Sequence, residues 1–324
     1  MDTAVFDFAT NVSRGTDLSA SSADTRSGHH VHQTLTPAQV ERGRAVFVRE
    51  WGAALTALPT HEARAGFEAM ELLRRPVARA TCAAVLEDLD AAVRDEVADL
   101  VLGWIDALAP VISGRRAPGR WSRRRRVEQR ARLALNERLS AVLAARGAHD
   151  TPPVVATMLA AGIQVPIAAG AWLLVHLAAR PDEACDPDHA VWEALRLAPP
   201  TWITARVTTA RVELGGEVLS AGELVLVSPL LLGRLPHLAP EEPADLATFC
   251  PERWRRDDIR PGAWLPFGAG PHACPGRTLG LGLLRDLAAW AQEQGLALAA
   301  PVTIDQSRGI LPSPAHITCA APTQ

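Results

Sequence analysis

The 324 residues predict a mainly helical protein with one small β-sheet region, and two observations carry that expectation. Apolar residues recur at helical spacing from Thr36 to about Leu197 and again beyond Arg277, whereas β-branched residues and glycine turns gather between Arg206 and Ser228. With 48% apolar residues the chain has enough to bury one large core. The expected organisation is a polar, loop-like arm at 1–35 followed by a single folded unit over 36–324.

The elements follow in chain order. Thr36 caps and Pro37 opens a helix in TPAQVERGRAVFVREWGAALTAL. Helical spacing continues through HEARAGFEAMELLRRPVARATCAAVLEDL and AVRDEVADLVLGWIDALAPVI. GRRAPGRWSRRRRVEQRARLALNERLSAVLAARG opens as a Pro/Gly loop and closes as an Arg-rich helix. Its Arg123–Arg126 run reads as a solvated face, because no aromatic residues interleave it as single-strand recognition requires. The most apolar helix is PPVVATMLAAGIQVPIAAGAWLLVHLAARPD, where Pro166 removes a backbone amide and predicts a kink or opening near Ala161 and Gly162. A small antiparallel sheet is expected in ARVTTARVELGGEVLSAGELVLVS, with turns at Gly215-Gly216 and Ala221-Gly222. RTLGLGLLRDLAAWAQEQG returns to helix, and VTIDQSRGILPSPAHITC reads as a closing hairpin.

Composition excludes several function classes. The net charge of -3 supplies no bulk basic field for nucleic acid, although all 33 cationic side chains are Arg. No apolar run of membrane-spanning length and no signal peptide in MDTAVFDFATNVSRGTD are apparent, so a soluble cytoplasmic protein without nucleic-acid or membrane partners is expected. The five cysteines are scattered, odd in number and without CxxC spacing, which indicates neither a disulfide framework nor a zinc site. Cys82, Cys185, Cys250 and Cys319 read as inert thiols.

Cys274 stands apart. It lies in FGAGPHACPG, a Gly/Pro-rich loop just ahead of a helix, where the helix N-terminus and backbone N–H groups favour a thiolate suited to metal ligation. The spacing F-G-x-G-x-H-x-C-x-G resembles the haem-binding loop of the cytochrome P450 family. That resemblance implies Cys274 as axial thiolate to the iron of haem b and Phe267 as the ring shielding the sulfur. Gly268, Gly270 and Gly276 would admit backbone close to the porphyrin, and His272 would hold a propionate. Three more stretches fit the same family. WEALRLAPP contains E-x-x-R as Glu193 and Arg196 at i, i+3, and FCPERW supplies Arg253, a trio expected to form a buried charge network. The run RLAPPTWITARVTTARVELGG then puts Arg206 where a propionate partner is expected, with Thr201, Trp202, Ile203 and Thr204 on the strand that faces substrate.

Two departures from the family pattern bear on chemistry. The broken helix should carry A-G-x-(Asp/Glu)-Thr-Thr, whose acid and alcohol relay protons to dioxygen; here the run is Ala161, Gly162, Ile163, Gln164, Val165, Pro166. Gln164 is no acid and Val165 has no donor, so Gln164 is left to bond a substrate amide or water, or to cap the kink at Pro166. The N-terminal region is reduced: too few residues precede Thr36 for the family's first strands and helices, and Arg26, His29, His30 and His32 are the only nearby donors. Either the protein is a minimal version or its reading frame begins late.

The resemblance implies a haem-thiolate oxidase or monooxygenase of bacterial secondary metabolism, taking a small or medium, free or carrier-bound substrate. Ala161, Val165, Trp202, Ile203, Ile310 and Leu311 would line its pocket. Electrons would come from a ferredoxin-type donor and its reductase, docking on a basic face at Trp254, Arg255, Arg256, Arg277 and Arg285. The alternatives are a peroxide-dependent or non-oxygenating haem-thiolate enzyme, and a non-catalytic haem-binding or partner-recruiting protein.

Overall fold

The computed structural model describes residues 34–319 except 60–64, 114–117, 120, 148–149, 182, 240–244, 256–262, 270–272 and 307–308. Helix α1 (Pro37–Thr56) starts as its sequence demands: the Thr36 hydroxyl accepts from Gln39 N–H, and the Gln39 side chain accepts from Thr36 N–H in return. A two-residue strand, β1 (Phe67–Glu68), precedes α2 (Ala69–Val85), so the expected continuous helix begins later than its periodicity suggests. Gly66 explains the interruption, since its φ of +101° and its closeness to the Ile317 backbone exclude a helical course. Helices α3 (Ala91–Ile112) and α4 (Arg123–Ala145) follow, with Arg123, Arg124 and Arg126 exposed on α4.

Helix α5 (Pro152–Ala178) occupies the centre, packed against α2, α3 and α4 and against the later elements α6 (Pro187–Leu197) and α8 (Arg277–Glu293). By length and composition α5 could cross a membrane, contrary to the sequence expectation, yet 67% of its most apolar window is buried in the protein. It is a core helix whose neighbours supply the apolar surroundings. The opening expected near Ala161 and Gly162 does not interrupt it; α5 is helical throughout.

The β elements divide into small units. Strands β2 (Thr204–Val207) and β5 (Leu224–Val227) pair antiparallel, while β3 (Val212–Leu214) and β4 (Glu217–Leu219) form a separate hairpin. Its Gly215-Gly216 turn has φ of +61° and +86°, the conformation that matches strand twist and that glycine adopts without strain. A short helix, α7 (Pro229–Leu232), and two 3₁₀ turns lead to α8. Beyond it β6 (Leu296–Leu298) leads to β7 (Ile304–Asp305) and β8 (Leu311–Pro312), which form a minimal hairpin. The last strand, β9 (His316–Cys319), leaves that expected hairpin and runs antiparallel between β1 and β6, with Phe67 opposite Ile317 and Leu296 opposite Cys319. Ile317 is fully buried there, so the register is set by core burial.

Candidate functional site

Helix α6 brings Glu193 and Arg196 to one buried face, with 0% and 1% of their surface exposed. Arg196 grips the carboxylate in a fork, Nε to Oε2 at 2.8 Å and Nη2 to Oε1 at 2.7 Å. Arg253 Nε adds a bond to Oε1 at 2.9 Å, the Cys250 amide donates to Oε1 at 3.0 Å, and Trp254 Nε1 donates to Oε2 at 2.8 Å. The remaining Arg196 donors reach the carbonyls of Gly233, Leu246 and Thr248. Burial alone would raise the Glu193 pKa, but the bonds and charges of Arg196 and Arg253 outweigh it and hold the carboxyl below its ordinary value. The network ties α6, the turn after α7 and the segment before the cysteine loop into one block. No local pattern announced the three carbonyls or the Cys250 amide.

The cysteine loop is anchored on that block. Cys274 N–H donates to Phe267 O at 2.9 Å, and Gly268 closes the turn with φ +67° while its N–H reaches Leu265 O at 3.2 Å. Helix α8 begins at Arg277 with Gly276 as its cap and no side-chain cap bond, and the Gly276 backbone lies beside the Cys274 sulfur, where a Cβ would stand 4.0 Å from it. Cys274 is the exposed cysteine; Cys82 is buried, and Cys185, Cys250 and Cys319 are half-buried. Protein crowding pushes the Cys274 thiol up, while the Gly276 N–H and the Arg277 charge pull it back. The Cys82 thiol, fully buried, is pushed up to about 12 by burial. The Arg277 guanidinium lies over the Phe267 ring at 5.8 Å, which fixes both beside the sulfur's loop.

Beyond Pro153 in its first turn, the exposed positions of α5 are Ala161 and Val165, one turn apart, with Gly162 and Gln164 half-buried beside them. Val165 is 37% exposed on a helix that is otherwise core. Pro166 has no amide to give the Gly162 carbonyl, and Thr81 Oγ1 on α2 donates to that oxygen instead, at 3.1 Å. The donor to that freed carbonyl is therefore Thr81, a residue the sequence did not single out. Only the missing Pro166 amide pointed to a need for such a donor; its identity lay in the packing of α2. Gly162 makes the approach possible, since a Cβ there would stand 3.0 Å from Thr81 Cγ2.

Trp202 is 37% exposed and Thr201 is exposed, while Ile203, Thr204 and Leu311 are half-buried and Ile310 is 7% exposed. Trp172 Nε1 donates to Ile310 O at 2.7 Å, which ties that segment to α5. Arg206 stands in β2 opposite Val225. Its side chain lies outside the described residues, as do His272, Gly270, Arg256, Arg26, His29, His30 and His32. Trp254 does not contribute to a docking face: it is 1% exposed and bonded to Glu193, because the indole fills the core beneath the network. Arg255, Arg277 and Arg285 are exposed, with Arg285 3.5 Å from Asp188.

These groups fit a flat, largely apolar macrocycle bound through a thiolate. An exposed cysteine beside an uncapped helix N-terminus, a loop glycine with nothing within 4 Å of its Cβ position, and exposed aliphatic positions on a core helix are what such a group would cover.

A family model described as Cytochrome P450 matches residues 188–282, from the start of α6 into α8. Cyclooctat-9-en-7-ol 5-monooxygenase of Streptomyces melanosporofaciens is 46% identical over 94 residues, 28% of this chain and 20% of that protein. A sterol 14α-demethylase of Mycolicibacterium vanbaalenii is 39% identical over 93 residues, again 28% and 20% of the two chains. The matched segment thus spans about a fifth of each curated relative. Among solved structures, CYP175A1 of Thermus thermophilus superposes with a TM-score of 0.71 at 22% identity, covering 98% of this chain and 84% of that one. A six-coordinated cytochrome P450 from the same species gives 0.68 at 21% identity, covering 97% and 87%. The chain therefore has a cytochrome P450 fold, and its sequence likeness to that family is concentrated in the segment that holds the Glu193 network and the Cys274 loop.

Proposed function

We propose that the protein is a haem-thiolate monooxygenase that oxidises a small or medium, largely apolar organic substrate. The observation that carries this reading is the Cys274 loop: an exposed cysteine just ahead of a helix N-terminus that no side chain caps, with the Gly276 backbone beside its sulfur. Cys274 would hold the iron of haem b, whose thiolate ligation supplies the electronics for oxygen chemistry. Phe267 would keep water from the sulfur, and Gly268 and Gly276 would let backbone approach the ring. His272 and Arg206 would meet the propionates, while Ala161, Gly162 and Val165 on α5 with Trp202, Ile203, Ile310 and Leu311 would orient the substrate. Glu193, Arg196 and Arg253 act at a distance by holding the loop in place. The likeness to two oxygenating relatives supports the reaction class, and that of the Streptomyces protein a role in secondary metabolism. We also propose a cytoplasmic location and a ferredoxin-type donor with its reductase, docking near Arg255, Arg277 and Arg285.

The deciding experiment is the absorbance of the reduced, CO-treated protein. The wild type should give the thiolate-type band, Cys274→Ala should lose it, and Cys82→Ala and Cys250→Ala should keep it. A thiolate band that survives Cys274→Ala ends the proposal.

A second reading keeps the same residues and replaces dioxygen and reductase by peroxide. Gln164 and Val165 favour it, because neither offers an acidic proton and peroxide brings its own. Val165→Thr should raise product formed per reductant consumed in the reductase-driven reaction and leave peroxide-driven turnover unchanged.

A further inference from the structure

Four aromatic rings form an unbroken run from the cysteine loop to the opposite side of the Glu193 network. Phe267 meets Trp264 with ring centroids 6.0 Å apart, Trp264 meets Trp254 at 5.8 Å, and Trp254 meets Trp192 at 5.6 Å, all edge to face. These are contact distances for aromatic pairs. Beyond Trp192 the run continues to His189 at 5.5 Å. His189 lines a surface recess of about 290 Å³ together with Cys185, Asp186, Glu252 and Arg255. Trp254 and Trp264 each use the indole N–H in a hydrogen bond, and three successive indoles are the side chains here that give up an electron most readily.

We propose that Trp264, Trp254 and Trp192 are a relay that carries one-electron oxidation away from the Cys274 loop to the His189 recess. Electrons move inward and the vacancy moves outward. Trp264 gives an electron to a peroxide-derived oxidant on the Cys274 side, Trp254 refills Trp264, Trp192 refills Trp254, and a small soluble reductant in the recess, a thiol or ascorbate, restores Trp192 across the His189 ring 5.5 Å from it. The middle residue has a place for its proton. Loss of an electron makes an indole N–H acidic, and the Trp254 N–H already donates to Glu193 Oε2 at 2.8 Å, so the proton is shared along that bond and returns when Trp254 is reduced. Trp264 Nε1 donates to the Trp192 carbonyl at 3.1 Å, which holds the outer two indoles in register. The benefit is protective: an oxidising equivalent generated without substrate leaves by a defined path instead of attacking the sulfur or the loop.

The relay rests on the haem-thiolate reading for its natural oxidant, and the experiment separates the two. Full-length protein loaded with haem is treated with hydrogen peroxide in the absence of substrate, and oxidised tryptophans are mapped by peptide mass spectrometry. Haem uptake is read first from absorbance; if there is none, a ruthenium photo-oxidant attached to the Cys274 thiol replaces peroxide and the same variants are mapped. The expected wild-type result is oxidation at Trp192, with ascorbate suppressing it. Trp254→Phe should abolish the Trp192 product and increase that at Trp264. Trp264→Phe, which leaves the Glu193 network intact, should abolish both the Trp254 and Trp192 products. Trp290→Phe, which removes an indole packed on Trp51 away from the run, should change nothing. Oxidation of Trp192 that persists in both Trp254→Phe and Trp264→Phe, or its absence in the wild type, overturns the relay.

Discussion

Thr81 and His176 show what single side chains contribute to the centre of the molecule. Thr81, 1% exposed, gives α5 the hydrogen bond that Pro166 withholds from Gly162, and a carbonyl left without it would cost about 1–2 kcal/mol. Thr81→Val should therefore lower the unfolding free energy by about that amount. In a Pro166→Ala background, where the local amide returns, the same change should cost less than half as much; the coupling from denaturant melts checks it. His176 is stacked between Trp172 at 5.7 Å and Phe249 at 4.8 Å, and its Nε2 is buried without a hydrogen-bond partner. Burial pushes its pKa down to about 4, with Arg234 and Arg196 adding to the shift and Glu193 opposing it. The unfolded chain then binds more protons than the folded one between about pH 6.5 and 4, so stability is fully present above pH 6.5 and falls as the pH drops through that window. The loss amounts to about 3 kcal/mol, and His176→Phe should flatten the thermal midpoint between pH 7 and pH 4. Neither role was legible in the chain: Thr81 answers a need created 85 residues later, and His176 looked like an ordinary helix residue.

Helix α6 illustrates how an element acquires its meaning from elsewhere. Its i, i+3 pair would be a minor surface interaction on an isolated helix, but burial together with Arg253 turns it into the anchor of the cysteine loop. Arg196→Ala would strand the Glu193 carboxylate opposite one remaining Arg and leave the Gly233 and Leu246 carbonyls without the donor that Arg196 gives them. A loss of about 3–5 kcal/mol is expected, read as a lowered denaturation midpoint with reduced haem content rather than altered substrate choice. Motif spacing made the trio visible in the sequence because each member sits in a short, distinctive pattern. The short strands were less visible. Pairing of β1 with β9 joins Phe67 to Ile317 across most of the chain, and a two-residue strand carries no periodicity to detect. The expected opening in α5 failed for a related reason, since the proline's missing bond was met by a partner on another helix.

At the scale of the whole molecule, the major helices were legible because each repeats its apolar face over many turns, while the exposure of Val165 on the most apolar of them was not. Val165 and Cys274 are both exposed, and a ligand that binds at Cys274 stabilises the folded state by mass action. Haem at about 100 times its dissociation constant should add about 2.7 kcal/mol, seen as a concentration-dependent rise in thermal midpoint that Cys274→Ala reduces. A midpoint indifferent to haem would contradict the site. The position of α5 in the chain has a separate consequence. Residues 152–178 leave the ribosome about 100 residues ahead of α8, one of the helices that cover them. At about 5–20 residues per second, the most apolar helix waits some 5–20 seconds for that cover. During translation the side of this segment that α8 covers is therefore left open for that interval, while α2, α3 and α4, already made, can pack on the rest.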